Sequence, residues 1–364
     1  MRFPKLAYIE WAKSLRPVTI NLARSGIDLC PPSMLGLRAG DVVANLPVTY
    51  GYAPLRRAIA TRYRVAESQV FTVSGGTSFA NYVACAAVLD GCPRGAEVIV
   101  ERPTYEPLLR VPEAFGHRVR RFDRTHADGF AIDLDRFASQ VTKRTCLALI
   151  SNLHNPSGTR IPMATLKRMA RLLARVGAFL VVDEVYLECL FGGRTESCVH
   201  AGSNVVTTNS LTKAYGLDGL RAGWMLGPRS IVERAGRINN LMTNNGVAPG
   251  EQMALAAFHR HRAISRRSRA ILDANLDIVR AFFARERRLE ATIPPGGNVI
   301  FPRLPGGVDS DRLTTHLVRR YSTQIVPGRF FEMPSHVRIS FGCRAALLTR
   351  GLENISRALD DVGA

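Results

Sequence analysis

Between residues 68 and 230, short apolar runs alternate with longer stretches of helical character, and this rhythm constrains the fold more than any other feature of the chain. The runs at 97–101, 146–151, 178–183 and 204–208 have strand length and are rich in β-branched residues. Their hydrophobicity is continuous rather than alternating, which predicts strands covered on both faces. The intervening stretches 77–89 and 163–175 read as helices, the first opening on Thr-Ser and followed closely by Gly91. The expected class is α/β, with a mostly parallel central sheet and helices on both faces.

The pattern changes after residue 250. A long arginine-rich helix is expected over 264–290, a strand after Pro294-Pro295, a helix over 309–321, a strand over 337–341 and a closing helix over 345–361. These elements predict a smaller α+β domain at 251–364, beside a large domain at 46–250. Residues 1–45 have little helical periodicity and contain Pro31-Pro32, so they are expected to form an arm packed with the small domain.

Composition narrows the function classes. Lys plus Arg number 49 against 30 Asp plus Glu, a net charge of +19 that taken alone would suggest a polyanion partner. Only five residues are lysine (5, 13, 143, 167 and 213), and the arginines are spread along the chain, so nucleic acid is not the expected partner. The scarcity also makes a lysine at a motif position informative. Seven scattered cysteines without a Cys-x-x-Cys pair read as reduced thiols, and no metal site is expected. No apolar window is long enough to span a membrane and the first residues lack a secretory h-region, so a cytoplasmic protein is expected.

Five features fall near the ends of predicted strands, the edge at which open α/β sheets bind ligands. Ser74-Gly75-Gly76-Thr77-Ser78 is a glycine turn feeding a helix; it is either a phosphate cradle or an ordinary helix start. Asn152-Leu-His-Asn155-Pro-Ser-Gly158 reads locally as a turn. A run of Val and Leu delivers Asp183 at its end, in Asp183-Glu-Val-Tyr186, and a carboxylate there needs a cation or a donor. Ser210-Leu-Thr-Lys213 places a rare lysine eight residues before Arg221. Arg338 interrupts an otherwise apolar strand.

Together and in this order, these motifs resemble the class I/II aminotransferases among the fold-type I pyridoxal-phosphate enzymes. Asn155 lies 28 residues before Asp183, and Lys213 lies 30 after it, with Arg221 and Arg338 following. The resemblance implies pyridoxal 5′-phosphate as cofactor and a homodimer as the working unit. It makes Lys213 the amine that forms the Schiff base and moves the proton, and Asp183 the acid that keeps the pyridine nitrogen protonated. Gly76, Thr77, Ser78, Ser210 and Arg221 would hold the phosphate, Tyr186 and Asn155 the ring's 3′-oxygen, and Tyr105 would stack on the ring. Arg338, assisted by Asn155, would clamp the substrate's α-carboxylate, and Gly26 would lie over the substrate. The implied reaction is a ping-pong exchange of an amino group between an L-amino acid and a 2-oxo acid.

One departure bears on assembly. Gly51-Tyr-Ala-Pro-Leu-Arg56 fits the segment near which the family presents a tyrosine to the partner's phosphate, and Tyr50 is the candidate. Two enzymatic rivals remain. Ser210-x-x-Lys213 also matches serine β-lactamases, but their Ser-Asp-Asn and Lys-Thr-Gly are absent. A β-eliminating carbon–sulfur lyase with the same cofactor would carry the same motifs. A cofactor-binding DNA regulator would need an added N-terminal domain, for which the position of Asn155 leaves no room.

Overall fold

The computed structural model describes residues 3–38, 40–46, 48–190 and 196–363. Strand β1 (Ile20–Asn21) precedes the strands of the main sheet: β2 (Val70–Ser74), β3 (Glu97–Arg102), β4 (Arg118–Asp123), β5 (Thr145–Ser151), β6 (Phe179–Asp183), β7 (Val205–Ser210) and β8 (Ala222–Leu226). The order across this seven-stranded sheet is β2-β8-β7-β6-β5-β3-β4. The pairs from β7 across to β4 are parallel, and β8 runs antiparallel to both β7 and β2. The expected mostly parallel α/β sheet is therefore present. Buried apolar clusters lie on both of its faces, which is why β5 and β6 read as continuous apolar runs.

The antiparallel β8 matters for function. Strands β2 to β7 all run in one direction and bring their C-terminal ends to one edge, and β8 begins where they end. Arg221, which precedes β8, therefore arrives at the same edge as the residues following β2, β3, β5, β6 and β7.

Beyond the sheet, the 25-residue helix His261–Arg285 leads to β9 (Val299–Ile300), β10 (Thr323–Gln324), β11 (Val326–Pro327) and β12 (Val337–Ser340). A three-stranded antiparallel sheet joins β11, β12 and β9, while β10 pairs in parallel with β1 near the chain's start. The helices Ser310–Tyr321 and Ala345–Asp361 pack against each other beside these small sheets.

Two elements differ from the sequence expectation. Residues 7–14 form a helix, α1 (Ala7–Ser14), whose free N–H groups at Ala7 and Tyr8 donate to the Glu106 carboxylate at 3.1 and 2.7 Å. The cap comes from a residue almost a hundred positions away, so no local motif announces it. The second is β4, an edge strand of sequence Arg-Val-Arg-Arg-Phe-Asp in which Phe122 is the one fully buried side chain. Three arginines on an edge strand suppress the apolar pattern used to find strands.

All seven cysteines are free thiols, and Cys85, Cys146 and Cys189 are buried. No described helix is long and apolar enough to cross a membrane.

Candidate active site

The sheet edge opens into a cavity of about 260 Å³. Nine of the residues singled out from sequence line it: Thr77, Ser78, Tyr105, Asn155, Asp183, Tyr186, Lys213, Arg221 and Arg338. Gly26 instead lines an adjoining cavity of about 230 Å³ that shares Tyr8, Ala12, Ser25, Thr212, Lys213 and Asp218 with the first. Gly76 lies just behind the wall, in the turn between β2 and helix α2 (Gly76–Leu89). Ser210 is fully buried, and its Oγ is 2.5 Å from Thr77 Oγ1 and 2.7 Å from Thr212 Oγ1. It orients those two hydroxyls, and Thr212 takes the lining position that the sequence reading gave to Ser210.

The glycine turn is locked to Arg221. Gly75 and Gly76 N–H both donate to the Arg221 carbonyl, at 2.7 and 2.9 Å, and Arg221 Nη2 donates back to the Gly75 carbonyl at 2.6 Å. Gly76 has φ +70°, a conformation that favours glycine. Gly223 on β8 passes so close that a Cβ there would stand 2.7 Å from the Gly76 carbonyl oxygen. The result is a cradle of first-turn N–H groups, which have no intrahelical acceptors, beside the Thr77 and Ser78 hydroxyls and a guanidinium. That donor set fits a phosphate dianion.

Asp183 ends β6 and is buried. Its carboxylate accepts from Asn81 Nδ2 at 2.8 Å and from Val185 N–H at 3.0 Å. Asn81 is itself oriented by the Thr208 hydroxyl, which donates to its Oδ1. Burial raises the pKa of Asp183 against the lowering effect of these donors and of Lys213. A buried acid in this condition is stabilised as the anion by a cation such as a protonated pyridine nitrogen.

Lys213 extends into the cavity from the loop after β7, and its Nζ donates to Ser25 Oγ at 2.8 Å. Burial, followed by the nearby Arg338 charge, pushes its pKa down to about 8, against the opposing pull of Asp218 and Asp183. The neutral, nucleophilic amine is therefore the form present above about pH 8. In cofactor-stripped protein, the rate of imine formation at Lys213 with an added aldehyde is expected to rise through a midpoint near 8. A free lysine would show its midpoint at about 10.4. The pH dependence of borohydride-trapped label at that residue measures this midpoint.

Arg338 is fully buried, and among the described residues it has no carboxylate partner. Its Nη1 donates to Asn155 Oδ1 at 3.0 Å, while Nη2 donates to the Tyr8 hydroxyl at 2.8 Å and the Ala23 carbonyl at 3.1 Å. Its Nε has no hydrogen-bond partner among the described residues. Neutral acceptors orient this cation without neutralising it, so the cavity is prepared for an anion. Tyr105 has its hydroxyl 3.3 Å from Ser78 Oγ, and its ring meets that of Tyr8 edge-on at 6.0 Å. Burial raises the pKa of Tyr186, so its hydroxyl remains a donor at neutral pH.

Sequence reasoning missed Tyr8 and Asn81, which reach the site through tertiary contacts, and Ser25, Thr212 and Asp218, which lie beside or between residues it did single out. It also missed Glu188, whose buried carboxylate accepts from Arg62, Tyr63 and Tyr215. His261 lies 3.5 Å away. These bonds, with burial opposing them, bring its pKa down to about 2. Glu188 is two residues from Tyr186 and Tyr215 two from Lys213, so the network ties both segments to the helix Ala53–Tyr63. Glu188→Ala strands several buried donors and is expected to cost about 3 kcal/mol, with Glu188→Gln costing less. Urea midpoints of the three proteins check this.

Comparison with known proteins adds the family context. A family model described as aminotransferase class I and II matches residues 16–355. Capreomycidine synthase from Streptomyces vinaceus is 30% identical over 331 residues, covering 90% of this chain and 84% of that protein. An arginine–pyruvate transaminase from Pseudomonas aeruginosa is 26% identical, covering 84% of this chain and 80% of its own. A PLP-dependent aminotransferase from Streptococcus suis superposes with a TM-score of 0.92 over 100% of both chains at 22% identity, a likeness of fold.

Proposed function

This chain belongs to the class I and II aminotransferases, and within that family we propose that it moves an amino group between an L-amino acid and a 2-oxo acid by a ping-pong mechanism. Its cofactor is pyridoxal 5′-phosphate, which when bound supplies an aldehyde to receive the amino group and an electron-withdrawing ring. The residues present fit that group. Thr77, Ser78, Arg221 and the first turn of α2 would hold its phosphate, and Asp183 would keep its ring nitrogen protonated. Asn155 and Tyr186 would donate to its 3′-oxygen, and Tyr105 would pack on the ring.

The observation that carries the reading is Arg338, a fully buried guanidinium without a carboxylate partner among the described residues, in the same cavity as Lys213, whose pKa burial brings down to about 8. Arg338 binds the α-carboxylate of the amino acid, with Asn155 and Tyr8 fixing the plane of the guanidinium. Held in this way, the Cα–H bond faces one acid–base group. Lys213, as a neutral amine, would take the proton from Cα and hold it at Nζ. Ser25 accepts a hydrogen bond from the Lys213 amine when that amine is free.

The same reading places the cofactor domain at 46–250, the small domain at 251–364 and the arm at 1–45. It is supported by the confinement of the seven-stranded sheet to residues 70–226 and of the three-stranded sheet to residues 299–340. It makes the working unit a cytoplasmic homodimer, supported by exposed Leu241 (89%), Val247 (57%) and Tyr50 (53%). Tyr50 is available there to reach a partner's phosphate.

A panel of L-amino acids tested for conversion of the bound cofactor to its pyridoxamine form, with restoration by a 2-oxo acid, tests the proposal. A lyase with the same cofactor keeps a second outcome in view, release of a β-substituent after the same proton abstraction. Pyruvate and ammonia formed from L-cystathionine or a cysteine conjugate without any 2-oxo acid, and no restoration by acceptors, would replace transamination with a lyase.

A further inference from the structure

Asp218 is given no cofactor contact above, yet it lines both cavities that meet at Lys213. It opens the short turn Asp218–Leu220 between the lysine and Arg221, and only its backbone carbonyl is used there, as acceptor for Arg221 Nη1. Among the described residues its carboxylate accepts no hydrogen bond. The nearest cation, Arg24 Nη2, stands 3.8 Å away, and both side chains are about half exposed. A pair this long and this open contributes little on its own. The other carboxylate of the inner cavity, Asp183, is buried and already holds two donors.

The two charges at this mouth are not equivalent. Asp218 lines the cavity that also contains Lys213 and Arg338, whereas Arg24 lines only the adjoining one. A side chain leaving the α-carbon of a substrate clamped by Arg338 therefore meets the carboxylate in the cavity it already occupies. The floor of the adjoining cavity is polar and open: Asn21 and Ser25 offer hydrogen bonds, and Ala12 leaves room beside Trp11.

We propose that Asp218 is the specificity-determining residue of this enzyme and that it selects amino acids with a cationic side chain, guanidinium or ammonium. The inference rests on the aminotransferase reading, because it takes the α-carboxylate to be held by Arg338. A guanidinium would donate two charge-assisted hydrogen bonds to this carboxylate.

The test is chosen so that the two readings fail separately. Calorimetry on the cofactor-loaded enzyme with the arginine skeleton lacking its α-amino group, with hexanoate as neutral control and adipate as acidic control, measures recognition without turnover. The arginine analogue is expected to bind about tenfold tighter than hexanoate, the factor of one strong charge-assisted contact. Asp218→Asn should erase that preference, and Asp218→Glu should retain part of it. In turnover, the ratio of kcat/KM for arginine to that for leucine should fall about tenfold in Asp218→Asn. Equal binding of the three acids, tighter binding of adipate, or a preference that survives Asp218→Asn would overturn the assignment. Selective binding without conversion of any amino acid would instead count against the aminotransferase reading and leave Asp218 as the cation site.

Discussion

Lys213→Ala is expected to lose turnover by at least about 10⁴-fold, the upper end of what one positioned acid–base group contributes. The same amine has two tasks, attachment of the cofactor and movement of the proton, so one substitution removes both. The visible absorbance of the lysine-bound cofactor should vanish as well. The fold should be little affected, because burial already disfavours the charged form of Lys213 and its one hydrogen bond is to Ser25. Added primary amines of about pKa 8 should restore a measurable fraction of the rate. A variant retaining even a hundredth of wild-type turnover would show that another group carries the proton.

Asp183→Ala is the second large effect. The carboxylate is buried, oriented by Asn81 and Val185, and placed to favour a protonated heterocycle. Its loss removes a preorganised charge in a site of low polarity, an effect on the order of 10²–10³-fold in kcat. Asn81 Nδ2 would also be left without its acceptor, a cost of about 1–3 kcal/mol in stability. Asp183→Asn separates the two contributions. It keeps the volume and one acceptor but carries no charge, so its stability should stay closer to wild type while kcat falls as far as in the alanine variant. Wild-type rates in either protein would refute the role assigned to the carboxylate.

Much of this site was legible in the sequence, for a physical reason. A buried parallel strand must be apolar along its whole length, so a polar residue at its end stands out. Asp183 after Phe-Leu-Val-Val is such a residue, whereas Asn155, four residues past β5 in a segment that reads as a turn, stood out only through the family resemblance. Lys213 was visible because lysine is scarce in this chain, and the glycine turn because only glycine readily adopts the backbone of residue 76. What escaped depends on chain segments far apart in sequence. Helix α1 is capped by Glu106, Tyr8 reaches Arg338 across 330 positions, and Glu188 gathers donors from Arg62, Tyr63 and Tyr215. Ser210 stands behind Thr212 and Thr77, whose hydroxyls it meets and which line the cavity wall.

The two unassigned acids also mark how family pattern and individual chemistry divide. Glu188 is fully engaged and supports the loops that carry Tyr186 and Lys213. Asp218 has only a long, half-exposed pair with Arg24 and lines both cavities, and the proposed choice of substrate rests on it.

The most direct test of the whole account is to reduce the cofactor-loaded enzyme with borohydride, digest it and locate the added mass. The account predicts one pyridoxyl-phosphate group per chain, on the peptide containing Lys213, with Lys5, Lys13, Lys143 and Lys167 unmodified. Label on any of those four lysines, with Lys213 recovered bare, would contradict it.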